Sequence, residues 1–359
     1  MSKPGELMGL ALGEARKAWG DTHPNPMVGA VIVEGGEIVA MGYHKAAGEA
    51  HAEVDALRSL GRKPSPRAEM YVTLEPCCTH GRTPPCTEAI LGAGIRHVRV
   101  GALDPNPDVA GQGVAALRAG GVDVKTGILE GECQDLNLIY NHWITQKSPL
   151  IAAKVATTLD GCIATRSGHS KWITSGVARQ DVMVWRRLFP SIGVGSGTAL
   201  ADDPRLTSRV MGQKERCNRR FVFDTRLRTL DAKLQLFQDG FSAQTTLVTT
   251  RETDQPGAWI LPEGPEGKPC LEAFRKRCGE EEVTGVYIEG GSALLASFIK
   301  FKQLDYLFAY RAPKILADPS ASPAFSGLSP ETLDQALTLN NVKHATLGDD
   351  QLLRGFFTK

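Results

Sequence analysis

Three side chains able to ligate a metal stand within one stretch of the chain: His51 in Glu49-Ala50-His51-Ala52-Glu53, Cys77 in Glu75-Pro76-Cys77, and Cys86 closing His80-Gly81-Arg82-Thr83-Pro84-Pro85-Cys86. One imidazole and two thiolates suit a tetrahedral zinc ion, and three protein ligands leave a fourth position for water, the pattern of a catalytic rather than a structural site. Glu53 follows His51 by two residues, a spacing that on a regular helix sends side chains apart. Both serve one centre only if His51 lies where the chain enters the helix and the carboxylate curls back. Glu53 then carries protons beside the metal and does not ligate it. Zinc with two thiolates and a neutral imidazole has no net charge, so further negative charge calls for positive helix N-termini. Helices are accordingly expected to begin at ligands, over 52–59 and 87–91. The competing reading, a buried histidine and two core thiols, leaves the joint His-x-Glu and Pro-Cys contexts without a reason. Cys78 is the rival to Cys77, since two adjacent side chains do not both reach a single ion.

The elements that position these groups follow from patterning. Leu7, Met8, Leu10, Ala11 and Ala15 form an apolar helical stripe, with Glu6 and Glu14 around it, which reads as a first helix and not as a signal peptide. The apolar run 27–33 suits a central strand, and Glu34-Gly35-Gly36-Glu37 turns it into a second strand over 38–43. Further strands are expected at 70–74, 96–102 and 122–126, with helices at 113–119 and 129–143, giving a sheet sandwiched by helices. Gln146-Lys147-Ser148-Pro149 is a short linker, and a strand restarts at Leu150. This divides the chain into domains 1–146 and 150–359. The second half predicts strands at 150–156, 191–195, 221–223, 245–248, 285–288 and 305–309. Helices are expected there at 178–188, 271–278 and 293–301, and loops at 203–220 and 318–335.

At 359 residues the chain has room for two cores. A formal net charge of +1 supplies no general attraction to a polyanion, which argues against nucleic acid as the main substrate. No apolar run is long enough to span a bilayer, so the expectation is no membrane and a cytoplasmic location. Eight cysteines could form disulfides, but a chain this rich in core has no need of them.

His-x-Glu with a downstream Pro-Cys-x-x-Cys is the signature of zinc nucleobase deaminases. Here eight residues, not two, separate Cys77 from Cys86. That variant, with Thr22-His23-Pro24-Asn25-Pro26 upstream and Asp104-Pro105-Asn106-Pro107 downstream, closely resembles the bifunctional riboflavin-biosynthesis deaminase/reductase family. The resemblance extends through Thr158-Leu159-Asp160-Gly161, Trp172-Ile173-Thr174-Ser175, Ala201-Asp202-Asp203-Pro204 and Glu289-Gly290-Gly291, covering nearly the whole chain. It implies an N-terminal cytidine-deaminase-like α/β/α domain with one Zn2+ and a C-terminal dihydrofolate-reductase-like α/β domain that uses NADPH. The implied substrate is a small phosphorylated diaminopyrimidine, deaminated first and then reduced from ribosyl to ribityl. A homo-oligomer, dimer or tetramer, is expected with it.

Residue by residue, the resemblance assigns cofactor contacts to Ala156, Trp172, Thr198, Asp202, Thr225 and the run Gly291, Ser292, Ala293, Leu294, Leu295, Ala296, Ser297. It assigns substrate contacts to Ser170, Arg186, Leu206, Arg209 and Glu289. The planar forks of Arg186 and Arg209 suit a ribose 5'-phosphate. Lys154 is a candidate for the reacting sugar, against the reading of a solvated lysine at a strand end. Asn25, His44, His80 and Arg82 either bind pyrimidine and phosphate or brace loops. The second half lacks G-x-G-x-x-G, so a standard dinucleotide fold is disfavoured. Its Gly290-Gly291 turn before a helix still offers backbone N–H groups to a phosphate. Two other readings compete: a nucleoside or tRNA deaminase with a non-catalytic nucleotide-binding second domain, and a regulatory protein with structural zinc.

Overall fold

Alternating apolar strands and amphipathic helices resolve into two units in the computed structural model, Met1–Lys147 and Ser148–Lys359. The structure describes residues 3–80 and 84–358. The first unit contains α1 (Pro4–Ala15), β1 (Gly29–Glu34), β2 (Glu37–Tyr43), α2 (Ala52–Leu60), β3 (Glu69–Leu74) and α3 (Cys86–Ala93). It continues with β4 (His97–Ala102), α4 (Gln112–Ala119), β5 (Asp123–Lys125), α5 (Glu130–Leu136) and α6 (Leu138–Gln146). Its sheet has the order β2-β1-β3-β4-β5; β1 is antiparallel to both neighbours, whereas β3, β4 and β5 run parallel.

Strand residues alternate between two covered faces. Ala30, Ile32, Met70, Val72, Val98 and Val100 point to one face and pack with Ala52 and Ala56 of α2, Ile90 of α3 and Leu117 of α4. The other face carries α1 and α5. Glycine sets how closely α2 can lie on the sheet, since a Cβ on Gly42 would stand 2.2 Å from the backbone nitrogen of Ala56. The single helix expected over 129–143 is interrupted at Asn137, which has φ −106° and ψ 31°. Its side chain accepts the Met27 N–H at 2.8 Å and donates to the Met27 carbonyl at 2.9 Å, a pairing across 110 residues of sequence.

The second unit contains β6 (Leu150–Thr157), β7 (Cys162–Ala164), α7 (Gly176–Leu188), β8 (Ser191–Gly195), α8 (Ser196–Asp202), β9 (Arg219–Phe223), α9 (Gln235–Gln238) and β10 (Thr245–Thr249). After these come β11 (Trp259–Ile260), α10 (Leu271–Glu280), β12 (Gly285–Ile288), α11 (Ser292–Lys300), β13 (Tyr306–Arg311), β14 (Ser322–Pro323), β15 (Leu339–Leu347) and β16 (Asp350–Phe357). Nine strands form one sheet in the order β11-β10-β9-β8-β12-β6-β13-β16-β15. It is parallel from β11 to β13 and antiparallel through β16 and β15. Phe221, Phe223 and Trp259 meet Phe274 of α10 and Phe298 of α11 on one face. Trp185 and Phe189, in and just after α7, cover Tyr287 and Phe308 on the other. Helix α8 and the β15–β16 hairpin are absent from the sequence expectations. Most of β15 is exposed and polar, so its strand pattern has no buried face to mark it.

Candidate active sites

His51 is the residue from which the chain enters α2, with φ −70° and ψ 161°, and Cys86 is the first residue of α3. Cys77 follows β3. His51 Nδ1 lies 3.2 Å from Cys86 Sγ and 3.5 Å from Cys77 Sγ, and the three ligand atoms all fall within 4.8 Å of one another. Helix α3 starts against Cys77: the Cys86 N–H donates to its sulfur at 3.3 Å and the Thr87 N–H to its carbonyl at 3.1 Å. The bond with Cys86 pushes the Cys77 thiol well below its ordinary range, and the same bond together with burial pushes Cys86 up. Two sulfurs thus compete for one proton against an imidazole nitrogen, and a divalent cation among them would satisfy all three donors. One nitrogen and two sulfurs fit zinc. Cys78 is outside this cluster.

Glu53, in the first turn of α2, is only 3% exposed and does not belong to the donor set. Its carboxylate takes its own backbone N–H and adjoins Cys86, and burial pushes its pKa up to about 7. Asn25 and His44 stand next to the ligands. His44 Nδ1 donates to the Ala50 carbonyl at 3.0 Å, which leaves Nε2 to accept from Asn25 Nδ2 at 3.1 Å. Burial pushes the His44 pKa down, consistent with that neutral tautomer, and its ring meets the His51 ring edge-on at 5.4 Å. His80 is exposed and lies 3.5 Å from Glu88, away from the donor cluster. Arg82 lies outside the described residues.

Glu75 is a positioning residue to which the motif reading attached no role. It is 6% exposed, and its carboxylate accepts the N–H groups of Asp104, Gly111 and Val114 at 3.1, 2.9 and 2.9 Å. Gly113 packs so tightly that a Cβ there would lie 2.0 Å from the Pro76 carbonyl oxygen. Together these grip the Glu75-Pro76 pair that presents Cys77. A buried acid directly before a ligand-bearing Pro-Cys was the available signal.

In the second unit the register of β6 and β12 sets Ile288 opposite Ala153, which brings Glu289, just past the end of β12, beside Lys154 in the middle of β6. Lys154 Nζ is 4.0 Å from Glu289. Arg186 of α7 clasps the same carboxylate through Nε at 2.5 Å and Nη2 at 2.9 Å, and gives Nη1 to the Thr207 carbonyl at 3.1 Å. Burial opposes the charge of Glu289, yet Arg186 and Lys154 hold its pKa below the usual carboxylate range; burial pushes Lys154 down. The expectation of two equivalent phosphate-gripping arginines therefore changes. The Arg186 fork is already committed to Glu289, whereas Arg209 is 44% exposed and donates to Thr207 Oγ1 at 2.7 Å.

A cavity of about 560 Å3 opens at the carboxyl ends of β8 and β9 and the first turns of α11. Of the expected cofactor contacts, Thr225, Ala293, Leu294 and Ser297 line it. Leu295 does not: its side chain is turned into the core with Phe298, because α11 must bury one face. Thr198 Oγ1 accepts the Gly291 N–H at 2.9 Å and so ties α8 to the glycine turn; Thr198, Gly291, Ser292 and Ala296 do not themselves line the cavity. A Cβ on Gly290 would stand 3.0 Å from Leu294, so the turn closes tightly only without one. The N-terminal turn of α11, which borders this cavity, fits a dinucleotide diphosphate. Ala156, on β6, does not line this cavity, and neither do Trp172 and Asp202. Trp172 is exposed and stacked by Arg179 at 4.6 Å, and Asp202 pairs with Lys171 at 3.0 Å. Ser170 is half-buried just before them, and Leu206 is buried.

Residues 149–353 match the family model described as the RibD C-terminal domain, and residues 1–102 match the cytidine and deoxycytidylate deaminase zinc-binding region. The chain is 40% identical to the riboflavin biosynthesis protein RibD of Actinobacillus pleuropneumoniae over 357 residues, covering 97% of this chain and 94% of that protein. It is 40% identical over 352 residues to the RibD of Aquifex aeolicus, covering 96% of each. Among solved structures, Acinetobacter baumannii RibD superposes with a TM-score of 0.81 at 33% identity over 99% of each chain. The deaminase/reductase of Thermotoga maritima gives 0.80 at 33% identity, over 98% of this chain and 97% of that one.

Proposed function

We propose, from the premise that this chain belongs to the RibD family of riboflavin biosynthesis proteins, a division of labour in which each unit carries one reaction and each site side chain one task. The enzyme is bifunctional. It deaminates diaminohydroxyphosphoribosylaminopyrimidine, then reduces 5-amino-6-(5-phosphoribosylamino)uracil with NADPH. A nucleoside or tRNA deaminase with an idle second half is not favoured, because the relatives match both halves.

In the first unit His51, Cys77 and Cys86 hold the zinc ion. Bound there, zinc supplies Lewis acidity and lowers the pKa of water. Glu53 takes one proton from the attacking water and delivers it to the ring nitrogen. It then moves the second proton from the new ring hydroxyl to the amino group, which leaves as ammonia. Asn25 and His44, locked to each other beside the ligands, hold the pyrimidine. The observation that carries this assignment is the convergence of three donor atoms within 4.8 Å beside a buried carboxylate that is not one of them.

In the second unit NADPH supplies the hydride. Arg209 binds the 5'-phosphate, Lys154 contacts the sugar at its reacting end, and Arg186 keeps Glu289 ionised and oriented toward Lys154. Supplying the diaminopyrimidine phosphate with and without NADPH, while following ammonia release and NADPH oxidation separately, tests both halves. Ammonia should appear without NADPH, and oxidation should follow only once deaminated product exists. Ammonia release that requires NADPH would overturn the division. None of the eight cysteines is in a disulfide, which supports a cytoplasmic location, and among the described residues no helix is long and apolar enough to cross a membrane. We propose a homo-oligomer, dimer or tetramer, which light scattering on the full chain would test.

A further inference from the structure

Arg209 sits at the end of a strap, residues 205–209, that is pinned at several points. The Ser208 hydroxyl donates to the Met183 carbonyl of α7 at 2.8 Å, and buried Arg220 donates Nη1 to the Arg205 carbonyl at 3.0 Å. Arg186, while it clasps Glu289, also donates to the Thr207 carbonyl. Ser208 and Arg216 exchange backbone bonds of 2.8 and 3.0 Å as an isolated antiparallel bridge. Partners in such a pairing count in opposite directions, so Glu215 stands across from Arg209.

At the centre of the strap Thr207 is fully buried, and its Oγ1 lies 2.6 Å from Glu215 Oε1 and 2.7 Å from Arg209 Nη1. A carboxylate can only accept and a guanidinium can only donate. The single hydroxyl proton therefore goes to Glu215, and an oxygen lone pair receives Arg209. Glu215 is 4.0 Å from Arg209 itself, beyond hydrogen-bond reach, so its directional hold on that arginine runs through the hydroxyl. Its other oxygen takes Arg205 Nη2 at 3.0 Å. With Nη1 committed, Nε and Nη2 of Arg209 make no hydrogen bond among the described residues. The same edge of Arg186 grips the two oxygens of Glu289, and a phosphate presents oxygens at a matching spacing.

We infer that Thr207 and Glu215 are positioning residues that hold the Nε–Nη2 edge of Arg209 ready for the 5'-phosphate, and so set the preference of the reductase for a phosphorylated over a dephosphorylated substrate. The inference rests on reading Arg209 as the phosphate ligand. An arginine 44% exposed would otherwise spread over many rotamers, and ordering them on binding costs affinity. The buried hydroxyl removes that cost before the substrate arrives. A Glu215 that merely neutralised Arg209 would act in the opposite sense, since the phosphate would have to displace it.

NADPH oxidation by the full-length chain separates these cases when it is followed with 5-amino-6-(5-phosphoribosylamino)uracil and with its dephosphorylated counterpart. The readout is the ratio of kcat/KM for the two substrates. Thr207→Val keeps the side-chain shape and the carbonyl that Arg186 uses but removes the hydroxyl, and should lower the ratio about tenfold, through KM and not kcat. Thr207→Ser should restore it. Glu215→Ala should lower the ratio as well, and Glu215→Gln, which keeps an acceptor oxygen, should recover part of the loss. Where the dephosphorylated substrate turns over too slowly to follow, inhibition by ribose 5-phosphate should weaken about tenfold in Thr207→Val. An equal loss for both substrates, or a ratio that rises in Glu215→Ala, overturns the positioning role. Arg209→Ala is the check on the premise: if it leaves the ratio intact, the phosphate reading of Arg209 fails, whereas a fall there with none in the Thr207 and Glu215 variants overturns only the inference.

Discussion

Between Glu49 and Cys86 the first unit gathers all three ligands and the buried carboxylate, each delivered by the end of a strand or the start of a helix. The second unit assembles its charged centre from distant parts of the chain, with Arg186 and Glu289 separated by 103 residues. A metal centre needs only that its donors reach one point, and short spacings at helix entrances achieve that locally. Lys154, Glu289 and Arg186 converge instead because β6 and β12 lie in parallel register and α7 crosses their face. Glu289 answers the Arg186 guanidinium there and not a metal ion. The first site should therefore fail through loss of chemistry while the fold persists. The second should fail through loss of structure wherever the Arg186–Glu289 pair is broken.

Four substitutions test that contrast, from the most to the least damaging. Glu53→Gln should lower ammonia release by about three orders of magnitude. Metal analysis should still find one zinc per chain, and NADPH oxidation on the deaminated substrate should continue. Persistent deamination would remove Glu53 from the proton path. Arg186→Ala leaves the Glu289 carboxylate buried without its fork, so the second unit should lose about 3–5 kcal/mol of stability by denaturant unfolding, together with reductase activity. Replacing both partners by methionine should restore most of the stability and none of the activity. If Arg186→Ala proves as stable as wild type, the pair does not brace the second unit.

Arg209→Ala should raise the KM for the reductase substrate about tenfold to a hundredfold, matching the loss of charge-assisted bonds worth about 1.5–3 kcal/mol, with the melting temperature unchanged. A large drop in melting temperature would make Arg209 another brace. Gly42→Ala forces a methyl group toward the α2 backbone, where a Cβ would meet Ala56 N at 2.2 Å. It should destabilise the first unit by about 1–3 kcal/mol and reduce zinc occupancy, because α2 carries His51 at its entrance. Full occupancy in a destabilised variant would uncouple helix placement from the ligand cluster.

Much of this was legible in the spacing of residues. His-x-Glu demands a helix entrance at His51, and α2 begins at Ala52. The apolar runs mark β1, β6, β8 and β12 to within a few residues, because a strand buried on both faces needs apolar residues throughout. Arg186 resisted such reading. Its sequence neighbours in α7 say nothing of Glu289, and a guanidinium that braces a carboxylate looks the same in sequence as one that waits for phosphate. Asn137 resisted it too, since the bonds that interrupt the helix reach Met27, 110 residues away.

The amino-acid sequence by itself determined which atoms can bind zinc, which carboxylate can carry protons beside them, and where most strands and helices begin. All of these depend on side-chain chemistry and on short local motifs such as His51-x-Glu53 and Pro76-Cys77. Tertiary structure alone decided that Glu75 grips three backbone N–H groups under Cys77 and that Arg186 faces Glu289. A polar group takes whatever partner the folded chain brings within about 3 Å. Strand order and helix packing choose that partner.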